Sequence, residues 1–149
     1  MSRKIYRIEA AAEADAERLA DIRVEAMRPS LEAVGRFDPL RARDRFLGSF
    51  VATDTRIILV EEGIAGFFVV RRHVDHFYLD HLYVSPAYQG LGLGRDIVEG
   101  LKAEAEAMGL PIRLMALNGS PANEFYLACG FRFVSQDALD TVYAWMPGA

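Results

Sequence analysis

Three glycines at alternate positions, in Gln89-Gly90-Leu91-Gly92-Leu93-Gly94-Arg95, constrain this chain more than any other feature. They separate an apolar stretch ending at Val84 from a run beginning near Gly94, in which Ile97, Val98, Leu101, Ala105 and Met108 recur at helical spacing. A strand therefore passes through Ser85, Pro86, Ala87 and Tyr88 into a glycine-rich turn and then into a helix. A helix start carries unpaired backbone N–H groups and a partial positive charge. Glycines remove the Cβ atoms that would hold an anion away, and permit the twists that aim several N–H groups at one point. Such a turn suits a diphosphate, with Arg95 adding a charge-assisted contact. Glycines at a strand–helix junction also serve the turn alone, and the stretch by itself leaves both roles open. Two commoner phosphate motifs are disfavoured. No Lys follows the last glycine, as G-x-x-x-x-G-K-[ST] requires, and Arg95 stands where G-x-G-x-x-G needs its third Gly.

Around this turn the chain reads as a mixture of strands and helices. Ile5 to Glu9 alternates as a short first strand. Asp15 is placed to N-cap a helix whose face carries Leu19, Ile22 and Ala26, and Pro29 is expected to stop it, leaving Ser30 to Phe37 as a linker. Asp38-Pro39 reads as N-cap plus first-turn proline of a second helix that gathers Phe46, Leu47 and Phe50. Ile57–Val60 and Ile64–Val70 flank Glu61-Glu62-Gly63 as a tight hairpin, and His76 to Val84 makes a third strand. The apolar parity of that strand slips between Leu79 and Leu82, which predicts a bulge near Asp80 to Leu82. Gly109 and Pro111 end the helix that follows the turn. Beyond them come a strand from Ile112 to Leu117, a short helix from Ala122 to Ala128 closed by Gly130, and strands from Phe131 to Val134 and Val142 to Trp145. A hairpin meander interrupts the strand–helix alternation, so the fold class is a mixed α/β sheet, not a doubly wound parallel one.

A chain of 149 residues predicts one domain with its own core, residues 1–149. Its net charge of −4 argues against nucleic acid or an anionic membrane as the main partner. Cys129 is the single cysteine, which excludes an intrachain disulfide and a Cys-cluster metal site. His73 and His76 lack an evident third ligand, so no metal is expected. Met1 to Ala10 lacks the pattern of a secretory signal, and no stretch reaches the ~18 apolar residues of a membrane helix. A cytoplasmic location is the expectation.

The turn and the elements around it resemble the GNAT superfamily of N-acetyltransferases. Its acetyl-CoA loop reads [QR]-x-x-G-x-[GA], matched by Gln89, Gly92 and Gly94. The preceding Leu79, Leu82, Val84 and Pro86 are similar to that fold's bulged strand and its exit. Asn118, Asn123, Phe125, Tyr126, Gly130 and Phe131 resemble the family's N-x(4)-N-x-F-Y-x(3)-G-F region. The resemblance implies an antiparallel meander followed by β-α-β units, with a splayed central strand pair. It implies acetyl-CoA as donor, with the diphosphate held by Gln89, Gly90, Leu91, Gly92, Leu93, Gly94 and Arg95. Backbone groups of Leu82, Tyr83 and Val84 would pair with the pantetheine arm by strand addition, and Asn118 and Asn123 would hold its amide and adenine-side arms.

The same resemblance implies transfer to a primary amine of a small molecule or peptide, with Tyr126 as the acid that protonates the departing thiolate. For the base, Tyr78 stands where the family commonly has a glutamate, so attention moves to Asp80 and then His81. Asp80 also has a simpler role open to it, an ion pair with Arg71 or Arg72, and His81 the role of a satisfied strand histidine. Arg28, Glu32, Arg36 and Phe37 lie where the family forms one acceptor wall. A guanidinium, a carboxylate and an aromatic there suit a small zwitterion, as they also suit a solvated helix connection. Self-pairing through an edge strand or helix face predicts a homodimer. The competing function is a non-catalytic acyl-CoA-binding module or sensor, motivated by the glutamate missing at Tyr78.

Overall fold

The computed structural model describes residues 6–148, and among them are seven strands and four α-helices. In chain order these are β1 (Arg7–Ala10), α1 (Ala16–Ala33), α2 (Pro39–Ser49), β2 (Thr55–Val60), β3 (Gly63–Arg72), β4 (Phe77–Val84), α3 (Leu93–Met108), β5 (Ile112–Leu117), α4 (Ala122–Ala128), β6 (Arg132–Gln136) and β7 (Asp140–Trp145). The strand order is β1-β2-β3-β4-β5-β7-β6, with β4 and β5 parallel and β5, β7 and β6 antiparallel, so the sheet is mixed as expected. No helix of the described residues is long and apolar enough to cross a membrane. Two compact units divide the chain, one drawn from Met1–Val69 with His81–Leu93, the other from Val70–Asp80 with Gly94–Ala149.

In the first unit, Asp38 starts α2 by accepting the Arg41 backbone N–H at 3.1 Å, with Pro39 in the first turn. A side-chain cap of this kind contributes about 1 kcal/mol. Asp15 behaves differently from the expectation. It stands at the N-cap of α1, but its carboxylate turns back to accept the Ala12 N–H at 2.7 Å and pairs with Arg18. Pro29 does not stop α1, which continues to Ala33. A proline within a helix removes one hydrogen bond and costs about 3 kcal/mol. Here the helix ends beyond it on Gly35, at φ +70, with the Arg36 N–H bonded to the Leu31 carbonyl at 2.8 Å. Arg43 of α2 pairs with Glu17 and Asp21 of α1. Leu19, Ala20, Phe46, Ile57, Phe67 and Val69 form the core of this unit, with Ile22, Leu47, Phe50 and Tyr83 against it. The β2–β3 hairpin turns through Glu61 and Glu62, with Val60 facing Gly63. A register shift follows, because Ile58 faces Gly66 and Leu59 faces Ile64, leaving Ala65 as the extra residue of a bulge in β3. Of the expected first strand, Ile5 lies outside the described residues.

In the second unit, β5 and α4 coincide with their expected limits. The β4–β5 ladder consists of Phe77↔Ile112 and Tyr78↔Arg113, while β5 pairs with β7 along its full length. Ile97, Val98, Leu101 and Ala105 of α3 are buried, as are Ile112, Leu114, Ala116 and Tyr143 of the strands. Each large apolar side chain buried this way contributes about 2 kcal/mol. Phe131, expected to open β6, instead precedes it as a buried plug, and β6 begins at Arg132 with all five residues exposed.

Candidate active site

The glycine-rich turn leaves β4 through a short 3-10 turn, Pro86–Tyr88. Ser85 donates its N–H to the Ala65 carbonyl at 2.7 Å, which fastens the strand exit to the β3 bulge. Gly90 and Gly92 then take left-handed φ values of +81° and +80°, and no atom lies within 4 Å of the place where a Cβ would sit on either. Only glycine reaches this conformation without strain. The chain enters α3 at Leu93, one residue before the expected start. Leu93 belongs to the cradle expected from the sequence, but its side chain is 2% exposed, so it anchors the helix in the core and has only its backbone to offer a ligand. Gln89 to Gly92 and Arg95 are exposed. An exposed turn with open space at the Cβ positions of Gly90 and Gly92, running into a helix N-terminus, fits a diphosphate, which needs several N–H donors and room for two phosphate groups.

Along β4 the exposure alternates from Phe77 to Asp80 and gives way to half-burial from Asp80 to Val84, the region where the sequence pattern slips. Gly66 approaches the end of this strand closely, since a Cβ on it would lie 2.0 Å from the Tyr83 carbonyl oxygen. Asp80 is ion-paired with Arg71, whose Nε and second guanidinium nitrogen lie 3.2 and 3.1 Å from Oδ2. His81 shares a hydrogen bond of 3.0 Å between Nδ1 and the Tyr83 hydroxyl, and its ring meets Phe46 edge-on at 5.3 Å. Tyr83 in turn packs on Phe67. Burial, then the negative charges of Asp80 and Asp140, push the Tyr78 phenol above its ordinary pKa, so it stays protonated and neutral.

The F-Y-x(3)-G-F segment is a helix-ending device that seats Tyr126. Gly130 adopts φ +93, the Phe131 N–H bonds the Tyr126 carbonyl at 3.0 Å, and the two aromatic rings pack edge to face at 5.6 Å. This is the Schellman arrangement, with its apolar contact across the cap. Lys102 of α3 donates to the Cys129 carbonyl at 2.8 Å and reinforces it. Tyr126 is thereby buried on the last full turn of α4.

Asn118 and Asn123 are heavily engaged within the protein. The Asn118 amide donates to the Asp137 carbonyl at 3.0 Å, while its oxygen accepts from Thr141 at 2.6 Å and Gln136 at 3.2 Å. Asn123 donates to the Leu117 and Ser120 carbonyls and accepts the Tyr143 hydroxyl at 2.8 Å. These contacts tie the β5–α4 turn to β7, and both amides line an open depression of about 530 Å³ with Phe133, Gln136 and Tyr143. Thr141 and Tyr143 hold these side chains across about twenty residues of sequence, and no local pattern signals them. Arg28, Glu32 and Phe37 do come together: Arg28 pairs with Glu32 at 3.3 Å and lies over the Phe37 ring at 5.1 Å. Arg36 is exposed just past the end of α1.

A family model described as an acetyltransferase (GNAT) domain matches residues 48–133, more than half of the chain. The chain belongs to the GNAT acetyltransferase family. Its matched segment contains the glycine turn, β4, α3, β5 and the Tyr126 segment. Among solved structures it is similar to PaiA N-acetyltransferase from Thermoplasma acidophilum in complex with coenzyme A, at 16% identity over 98% of this chain and 99% of that one, TM-score 0.73. It is similar as well to the ribosomal-protein-S18-alanine N-acetyltransferase from Escherichia coli, at 19% identity, 97% and 96% coverage and TM-score 0.72. An acetyltransferase from Thermus thermophilus gives 18% identity, 97% and 99% coverage and TM-score 0.73. At these identities the structures establish a common fold. No curated protein matches the sequence. As a GNAT acetyltransferase, the protein is an enzyme of a family whose cofactor is acetyl-CoA.

Proposed function

We propose that the whole chain acts as one GNAT domain that transfers the acetyl group of acetyl-CoA to a primary amine of a small molecule or peptide, by direct attack of the amine on the thioester. The observation that carries this reading is the exposed turn with Gly90 and Gly92 in left-handed conformations, open where side chains would otherwise lie. Backbone N–H groups between Gln89 and Arg95 would hold the diphosphate, and backbone groups of Leu82 to Val84 would flank the pantetheine arm. Bound acetyl-CoA supplies an activated acyl thioester.

The protein's own part is to orient the amine, remove its proton and return one to the thiolate. Tyr126 is the acid in this reading, since a phenol remains protonated at neutral pH and its ring is held by Phe125 and Phe131. For the base we favour His81 over Asp80, because Arg71 engages the Asp80 carboxylate while the His81 imidazole is oriented by Tyr83 and Phe46. Arg28, Glu32 and Phe37 would form an acceptor wall suited to a zwitterion. The internal hydrogen bonds of Asn118 and Asn123 support a role for their side chains in shaping the β5–α4 turn, with any contact to the donor made by the backbone of that turn.

Titration with acetyl-CoA tests the reading, and absence of binding would end it. A panel of amines and amino acids read by thiol release then separates the enzyme from a non-catalytic module, for which tight binding without release is expected. Tyr126→Phe is expected to lower kcat about 100-fold with CoA affinity unchanged; equal activity removes Tyr126 from the acid role.

A further inference from the structure

The side chain of Gln89, the first residue of the glycine motif, turns back along the chain: its amide Nε2 donates to the Val84 carbonyl at 2.8 Å. Val84 is the last residue of β4, so this bond closes a short loop over Ser85–Tyr88. The loop is pinned elsewhere too. Tyr88 donates its N–H to the Ser85 carbonyl at 2.9 Å, and Ser85 donates to Ala65. The Tyr88 hydroxyl sits against the β2–β3 hairpin, 2.7 Å from the place a Cβ on Gly63 would occupy. Immediately after these anchors the backbone turns left-handed at Gly90, and again at Gly92. An N–H donor can be aimed only if the backbone before it is fixed, and Gln89 is the last side chain before the glycines. We infer that Gln89 is a positioning residue, whose side chain sets the aim of the glycine-turn N–H groups by holding the turn to the end of β4.

This rests on the diphosphate-binding reading above and adds a chemical requirement to it. Position 89 needs an N–H donor that reaches the Val84 carbonyl, not a particular charge or shape. Arginine satisfies that requirement; methionine, of similar length and volume, does not. Glutamate presents an acceptor to an acceptor.

The test compares Gln89→Met, Gln89→Arg and the wild type by calorimetric titration with CoA, and by kinetics with acetyl-CoA against S-acetylpantetheine, which lacks the diphosphate. Gln89 is exposed, and circular dichroism of each variant confirms its fold. Loss of one such hydrogen bond is expected to weaken CoA binding by Gln89→Met about three- to tenfold, with Gln89→Arg close to wild type. The KM penalty of Gln89→Met should be larger for acetyl-CoA than for S-acetylpantetheine by a similar factor. Wild-type affinity in Gln89→Met, equal losses in Gln89→Met and Gln89→Arg, or equal penalties with both thioesters each overturn the positioning role and leave the acetyltransferase reading standing. Failure of the wild type to bind CoA overturns both.

Discussion

Replacing Gly92 with alanine tests the turn on which the active-site reading depends, and Gly100→Ala supplies a matched control. Gly92 sits at φ +80, where an L-residue is strained by about 1–2 kcal/mol. No atom lies within 4 Å of its added Cβ, so no collision enlarges that cost. Gly100 lies inside α3, also with open space around its Cβ, but at an ordinary helical φ. There the same substitution removes unfolded-state freedom and stabilises by about 0.5–1 kcal/mol. One methyl group is therefore expected to move stability in opposite directions at two positions eight residues apart. For a chain of this size 1 kcal/mol corresponds to about 2–4 °C in Tm. Gly92→Ala should melt several degrees below wild type and Gly100→Ala a few degrees above it, with urea midpoints moving in parallel. Adding CoA at about 100 times its Kd should stabilise wild type and Gly100→Ala by about 2.7 kcal/mol. Gly92→Ala should gain less, because its turn N–H groups are turned and a methyl group stands in the cradle. Shifts of the same sign in the two variants would refute the backbone argument. Equal CoA stabilisation of all three proteins would refute the turn as the diphosphate seat.

Three other outcomes follow from the geometry. Gly66→Ala places a Cβ 2.0 Å from the Tyr83 carbonyl oxygen and 3.0 Å from the Val84 Cα, both backbone atoms that cannot swing aside, and should destabilise by about 3 kcal/mol; a melting curve matching wild type would contradict the close approach. Asp137 accepts the Asp140 and Leu139 N–H groups, and Asp15 that of Ala12, and these bonds hold both carboxyls below the ordinary 3.8. Depressed folded-state values contribute stability above the unfolded pKa that is lost as pH falls through the folded one. The urea-midpoint difference between wild type and Asp137→Asn should therefore shrink below about pH 4, and a difference that grows in acid would reverse the sign argued here. Burial pushes the Cys129 thiol up, so its alkylation at neutral pH should proceed only as fast as the chain opens, and a rapid burst of labelling in the native protein would refute that burial.

How far the sequence anticipates this site depends on the range of the interaction that decides each residue. The bounds of β5 and α4 coincide with expectation because Pro111, Gly109 and Gly130 act within a turn of themselves. Tyr126 is seated by the same short-range chemistry, since Gly130 and Phe131 lie within five residues of it. Pro29 misleads because the rule that proline ends a helix weighs a local cost, whereas α1 packs on α2 and continues to its cap at Gly35. Asp80 shows the boundary case. Its partner Arg71 lies nine residues away across a hairpin, near enough to be named in advance as one of two arginines but not chosen between them.

Beyond that range the sequence identifies residue types without their engagements. Asn118 and Asn123 have the chemistry to hold a donor's amides, yet Thr141, Gln136 and Tyr143, all on the final hairpin, take up the same groups. Gln89 is the converse: its place in a diphosphate motif suggests a ligand contact, and its side-chain amide is bonded to the Val84 carbonyl. On the positioning reading, a motif position is needed for binding although its side chain never meets the ligand. In such cases the informative replacement preserves the internal hydrogen bond and changes everything else, because a substitution that only removes the side chain cannot tell holding from positioning.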